Sequence, residues 1–92
     1  MARDDIGRLY RLLMQSAFAF VPRGERRIEE IYVHVRKRYP KLCDDRYLCA
    51  ENCTGGHDQA EWKHTVRRAL SRARHNSIAV GMGSERGLWR FR

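Results

Sequence analysis

The chain has 92 residues, 42% of them hydrophobic and 33% charged, and its 19 Lys and Arg against 11 Asp and Glu give a formal net charge of +8. This is enough apolar material for one small core and too much for a disordered basic tail. No run nears the ~18 apolar residues of a membrane span, and the start Met1-Ala2-Arg3-Asp4-Asp5 puts acids where a signal peptide carries its basic region. A secreted protein, a membrane protein and a large-pocket enzyme are disfavoured. The expectation is one intracellular binding domain over residues 1–92, cytoplasmic or nucleoid-associated.

Taken in chain order, Ile6, Leu9, Tyr10, Leu13, Met14 and Phe18 recur at helical spacing, which predicts an amphipathic helix over 4–20. Asp4 and Asp5 suit its positive end, and Val21-Pro22-Arg23-Gly24 interrupts it. A second helix is expected at 26–38, with Ile28, Ile31, Tyr32, Val35 and Tyr39 on one stripe and Pro40 as its stop. Residues 41–59 show neither helical nor strand period and read as an irregular insert.

Asp58-Gln59-Ala60-Glu61 has the form of a capping box, and a third helix is predicted over 59–75. At 100° per residue, Trp62, Val66, Ala69, Leu70 and Ala73 share one side while His64, Arg67, Arg68, Ser71 and His75 share the other. The tail, 78–92, holds a β-prone run, a Gly-rich loop with Arg86 near its tip, and the alternating Leu88-Trp89-Arg90-Phe91-Arg92. That is a hairpin. Trp89 and Phe91 share the parity expected to face the core, and Arg90 and Arg92 the exposed one. The turn around Gly24 would supply a short third strand.

The charge is unevenly placed. Residues 22–41 carry seven bases and three glutamates (+4), residues 42–59 one arginine and four acids (−3), and residues 60–75 five bases and Glu61 (+4). The flanks 1–21 and 76–92 hold +1 and +2. Two basic blocks around an acidic insert point to a polyanion partner.

Helix, helix, basic helix, hairpin is the order of an α+β winged helix-turn-helix, in which the third helix enters the major groove and the hairpin lies along the backbone. The positions presented to a duplex would be Ala60, Lys63, His64, Arg67, Arg68 and Ser71. Lys63 and Arg72 are expected as phosphate clamps and Arg86 as a second anchor. Glu61 is read as a cap and Trp62 as core. Duplex DNA is therefore the expected partner. A protein-docking winged helix, a subunit of a transcription or restriction complex with incidental charge, is the alternative. RNA binding ranks third, because the aromatics fall on core stripes and not on an exposed stacking surface.

The stretch Trp62-Lys63-His64-Thr65-Val66-Arg67-Arg68-Ala69-Leu70, with Gly87-Leu88-Trp89-Arg90-Phe91 closing the hairpin, resembles the winged-helix domains attached to restriction endonucleases. These include the Mrr-type N-terminal domain and the reader domain of adenine-methylation-dependent restriction enzymes. Tyr39-Pro40-Lys41-Leu42-Cys43-Asp44-Asp45 is similar to a tract in members of the same group. The resemblance spans roughly residues 28–92. It implies duplex-DNA binding, in some relatives with preference for modified bases, through Lys63, His64, Arg67, Arg68 and Ser71. Two features depart from it: the insert is longer than in several relatives, and these 92 residues hold no nuclease domain.

Cys43, Cys49, Cys53 and His57 form a Cys₃His set of the kind that closes a tetrahedral zinc shell. Four protein ligands leave no open position, so such a zinc would be structural. It would staple the insert of a domain whose core is small for its surface. His64 is an alternative fourth ligand. Reduced thiols, or a Cys43–Cys49 disulfide that leaves Cys53 odd, are the other readings of these cysteines. No paired carboxylates in a pocket, phosphate-binding glycine loop or activated serine is visible. Asp44-Asp45 lies in an irregular loop, whereas nuclease carboxylates are held on rigid elements around Mg²⁺. The chain is therefore expected not to be an enzyme.

Overall fold

The computed structural model describes residues 3–48, 59–76 and 79–92. In chain order these form α1 (Arg3–Ser16), β1 (Gly24–Arg27), α2 (Ile28–Arg38), a 3-10 turn (Pro40–Leu42), α3 (Glu61–Asn76), β2 (Val80–Met82) and β3 (Leu88–Phe91). The layout is α+β, three helices beside a three-stranded antiparallel sheet, and is compatible with a winged helix. Among the described residues no helix is long and apolar enough to cross a membrane.

Helix α1 buries Leu9 and Leu13 against α3, which contributes Trp62, Val66, Ala69 and Leu70 to the same core. The expected helix over 4–20 stops four residues early. Ala17 and Phe18 adopt left-handed backbone with φ of 49° and 59°, a conformation that costs a non-glycine residue roughly 1–2 kcal/mol. The reversal drives Phe18 into the core, where its ring lies 6.1 Å from Phe20 and 6.2 Å from Phe91. Burying a phenylalanine contributes about 2–3 kcal/mol, enough to offset most of that strain. The apolar spacing that looked like continued helix is therefore a helix and its buried exit.

The strand expected near Gly24 forms, and it delays the second helix from residue 26 to Ile28. Glu25, Arg26 and Arg27 pair with Arg90, Trp89 and Leu88 of β3. Strand β3 is central, because its other edge pairs Phe91 with Val80 and Trp89 with Met82. Helix α2 buries Ile31 and Val35. It closes where the Tyr39 N–H donates to the Val35 carbonyl at 2.8 Å, immediately before Pro40, which has no N–H to continue the ladder.

Helix α3 begins at Glu61 instead of residue 59. Ala60 makes an isolated bridge with Leu48, and the Glu61 N–H donates to the Tyr47 carbonyl at 2.8 Å. The two ends of the insert are thus joined like strands. Asp58, the expected cap, lies outside the described residues. The hairpin predicted over 78–92 is present with strands 80–82 and 88–91. Phe91 is buried as its parity required, whereas Trp89 is only half-buried.

Candidate nucleic-acid interface

Helix α3 carries the site because its two faces are chemically opposite. The side away from the core presents His64, Arg67, Arg68, Ser71, Arg72 and His75, and all six line one open groove of about 690 Å³. Its remaining walls are Tyr10 from α1, Ile28 from the start of α2, and Gly87 and Trp89 from the hairpin. Cationic side chains thus surround a partly aromatic floor. The Arg68 guanidinium lies 5.0 Å from the centre of the Tyr10 ring, a cation–π contact worth about 0.5–1 kcal/mol at an exposed site.

The two central arginines differ in their freedom. Arg67 donates through Nη1 to Gln59 Oε1 at 2.8 Å, and its charge opposes the upward push that burial exerts on the Tyr32 phenol. It therefore also braces α2 and the end of the insert. Arg68 and Arg72 are exposed, and Arg86 is exposed in the hairpin turn.

Two expected contacts are placed differently. Ala60 is 7% exposed, because the bridge to Leu48 turns it inward. Lys63 lines a second groove of about 610 Å³, together with Glu29, Val33, Arg36 and Lys37 of α2. Its ammonium sits 5.4 Å from the Tyr32 ring centre and 5.7 Å from that of Trp62. One residue of helix rotates the side chain by about 100° from His64, and the half-buried Tyr32 and the buried Trp62 attract it there. Val33, 53% exposed, borders this groove, and Leu48, 49% exposed, borders its continuation toward the insert.

Trp62, at 1% exposure, is core as its stripe implied, and its indole has a partner that periodicity does not reveal. The Nε1–H donates to Asp45 Oδ1 at 2.9 Å, and Arg36 Nη2 donates to the same oxygen. These bonds, the Trp62 bond foremost, hold the Asp45 carboxyl below the usual carboxylate range. The sequence stretches 62–70 and 39–45 meet at this hydrogen bond.

Cys43 is buried at the end of the 3-10 turn, and burial pushes its thiol up to about 11. Cys49, Cys53 and His57 lie outside the described residues. Among the described residues no group of three metal-ligating side chains is brought together.

Strand β1 sets an acid against the hairpin turn that spacing did not single out. Glu25 accepts hydrogen bonds from the Ser84 N–H and, at 2.9 Å, from Ser84 Oγ. It also pairs with Arg90 at 3.6 Å. The Ser84 N–H is the largest of the influences that hold its carboxyl below the ordinary 4.5. A depressed folded-state value means that the charged form is favoured by folding, so the stabilisation is present above the unfolded value and lost as pH falls through the folded one. In urea titrations between pH 6 and pH 3, the stability difference between the wild type and Glu25→Gln is expected to shrink as Glu25 protonates. A difference that grows toward pH 3 contradicts the assignment.

No family model, curated protein or solved structure matches the chain.

Proposed function

We propose that the chain is a winged-helix module that binds double-stranded DNA, with α3 in the major groove and the β2–β3 hairpin as the wing. The observation that supports it best is the groove in which six polar or cationic side chains of α3 stand beside the hairpin. Major-groove width suits one α-helix; Arg68 and Arg72 line the groove, and Arg86 is exposed in the hairpin turn next to Gly87, which also lines it. The activity proposed is binding, not catalysis, in an intracellular setting. The resemblance to restriction-associated winged helices points the same way and adds modified bases as one class of target.

Neutralising ~5–7 phosphates implies a slope of log affinity against log salt of roughly −4.5 to −6. Fluorescence titration of a 20-base-pair duplex across a salt series measures it. A flat slope, or no binding at low salt, rejects the proposal. The exposed Val33 and Leu48 beside the second groove favour a protein-docking role as the second reading, and competition between duplex and an acidic protein surface separates the two.

A structural zinc held by Cys43, Cys49, Cys53 and His57 belongs to the same proposal. The bridge between Leu48 and Ala60 brings together the two ends of the segment that carries Cys49, Cys53 and His57, while Cys43 precedes that segment and is buried. The chemistry supplied would be cross-linking only, because four protein ligands leave no site for water. Protein purified without added metal is expected to carry about one equivalent of zinc by elemental analysis. A value near zero in folded protein removes zinc from the proposal.

A further inference from the structure

We infer that Glu25 is a positioning residue for the hairpin, holding the turn that carries Arg86 at the edge of the α3 groove. The role in binding rests on the proposed DNA reading, whereas the contact stands on its own geometry. Strand β1 does not touch β2, because β3 lies between them. The hairpin turn is therefore anchored to the rest of the sheet through β3 alone, unless a side chain reaches out to it. Glu25 is that side chain. Its two oxygens take the Ser84 N–H and hydroxyl, and Arg90 stands 3.6 Å away on the intervening strand.

The turn is shaped to receive it. A Cβ on Gly83 would fall 2.5 Å from Leu88 Cβ, 2.9 Å from the Leu88 backbone carbon and 2.8 Å from Glu25 Oε2, so glycine lets the turn close on Leu88 and leaves room for the carboxylate beside it. The Gly83 N–H donates to the Leu88 carbonyl at 2.9 Å, and the Leu88 N–H to the Glu85 carbonyl at 3.1 Å. Residues 84–87 form a closed turn, gripped at its first residue. Arg86 lies two residues beyond that grip, and Gly87, next to it, already lines the groove.

Charge arithmetic and positioning give opposite signs here. A carboxylate beside a polyanion-binding face repels phosphate, so its removal should strengthen binding if charge were its only effect. If it holds the turn, its removal should weaken binding and uncouple Arg86 from the duplex.

The test is a double-mutant cycle on the full chain with a 20-base-pair duplex, using Glu25→Ala, Glu25→Gln and Arg86→Ala. Arg86→Ala is expected to weaken wild-type binding several-fold and to reduce the magnitude of the salt slope by about 0.9. In the Glu25→Ala background it should change neither quantity. Glu25→Ala alone should weaken binding, and Glu25→Gln, which keeps an acceptor for Ser84, should fall between it and the wild type. Tighter binding by Glu25→Ala, with the Arg86 effect intact, overturns the inference. Amide exchange reads the contact without DNA. The Ser84 amide should exchange at least several-fold faster in Glu25→Ala while Val66 and Leu70 amides, which report the core, are unchanged. An unchanged Ser84 rate overturns the contact, and loss of core protection is answered by the milder Glu25→Gln measured in the same way. If the wild type binds no duplex, the role in DNA binding falls, and the exchange result alone upholds or overturns the grip on the turn.

Discussion

Replacing Arg68 and Arg72 together with Ala is expected to lower affinity for duplex DNA roughly 10- to 100-fold and to reduce the magnitude of the salt slope by about 1.8. Both side chains are exposed and both line the groove. Neither fills a core position, so surface truncation should change stability by only ~0.5 kcal/mol per site, with about 0.5–1 kcal/mol more for the Arg68–Tyr10 contact. The pair therefore separates binding from folding. Arg67 is a poorer probe, because its bond to Gln59 ties any loss of binding to a loosened insert. The measurement is a duplex titration at several salt concentrations beside a urea melt. Unchanged affinity and slope would mean that the groove is not where DNA binds.

The largest effect on stability is expected at Trp62. Truncation to Ala should cost about 3–5 kcal/mol through lost burial and the cavity left behind, a large share of the ~5–15 kcal/mol that holds a small domain folded. The same change removes a donor from Asp45 and the aromatic face beneath Arg36, whose guanidinium lies 5.0 Å from the ring centre. Trp62→Phe retains most of the ring volume and loses the Nε1–H, so its cost should be nearer ~1–2 kcal/mol. Urea denaturation of both variants checks the order. If Phe is as damaging as Ala, the hydrogen bond to Asp45 outweighs the packing. If Ala is tolerated within 1 kcal/mol, the central place of Trp62 in the core is wrong.

Trp62 and Asp45 also show what the 62–70 and 39–45 stretches do in this chain. The first aromatic of the 62–70 stretch is buried, and the acid that closes the 39–45 tract holds its indole. Both motifs thus contribute to holding α3 on α2. The groove-lining residues of the 62–70 stretch are His64, Arg67 and Arg68, while Lys63 turns toward Tyr32 and Trp62. Lys63 remains within the proposed DNA-binding surface only if a duplex extends across α2 as well as α3. The free protein stores it on aromatic rings, at a cation–π strength of about 0.5–1 kcal/mol, which a phosphate contact can outcompete.

The two faces of α3, the basic block that it carries and the existence of a hairpin followed from the sequence alone. So did the third strand at Gly24. These features are local: helical geometry fixes which residues share a side, and strand alternation and glycine placement act over a few residues. The early end of α1, the start of α2 at Ile28 and the inward turn of Ala60 required the tertiary structure. Each depends on a partner far along the chain, Phe91 for Phe18, β3 for residues 25–27 and Leu48 for Ala60. The same holds within the site. Glu25 meets Ser84 across 59 residues and Trp62 meets Asp45 across 17, distances over which no periodicity carries information. Sequence determined which side chains α3 offers to a partner. Only the packing of α1, α2 and the sheet around it decided which remain in the groove, which brace the fold, and how the hairpin is held beside them.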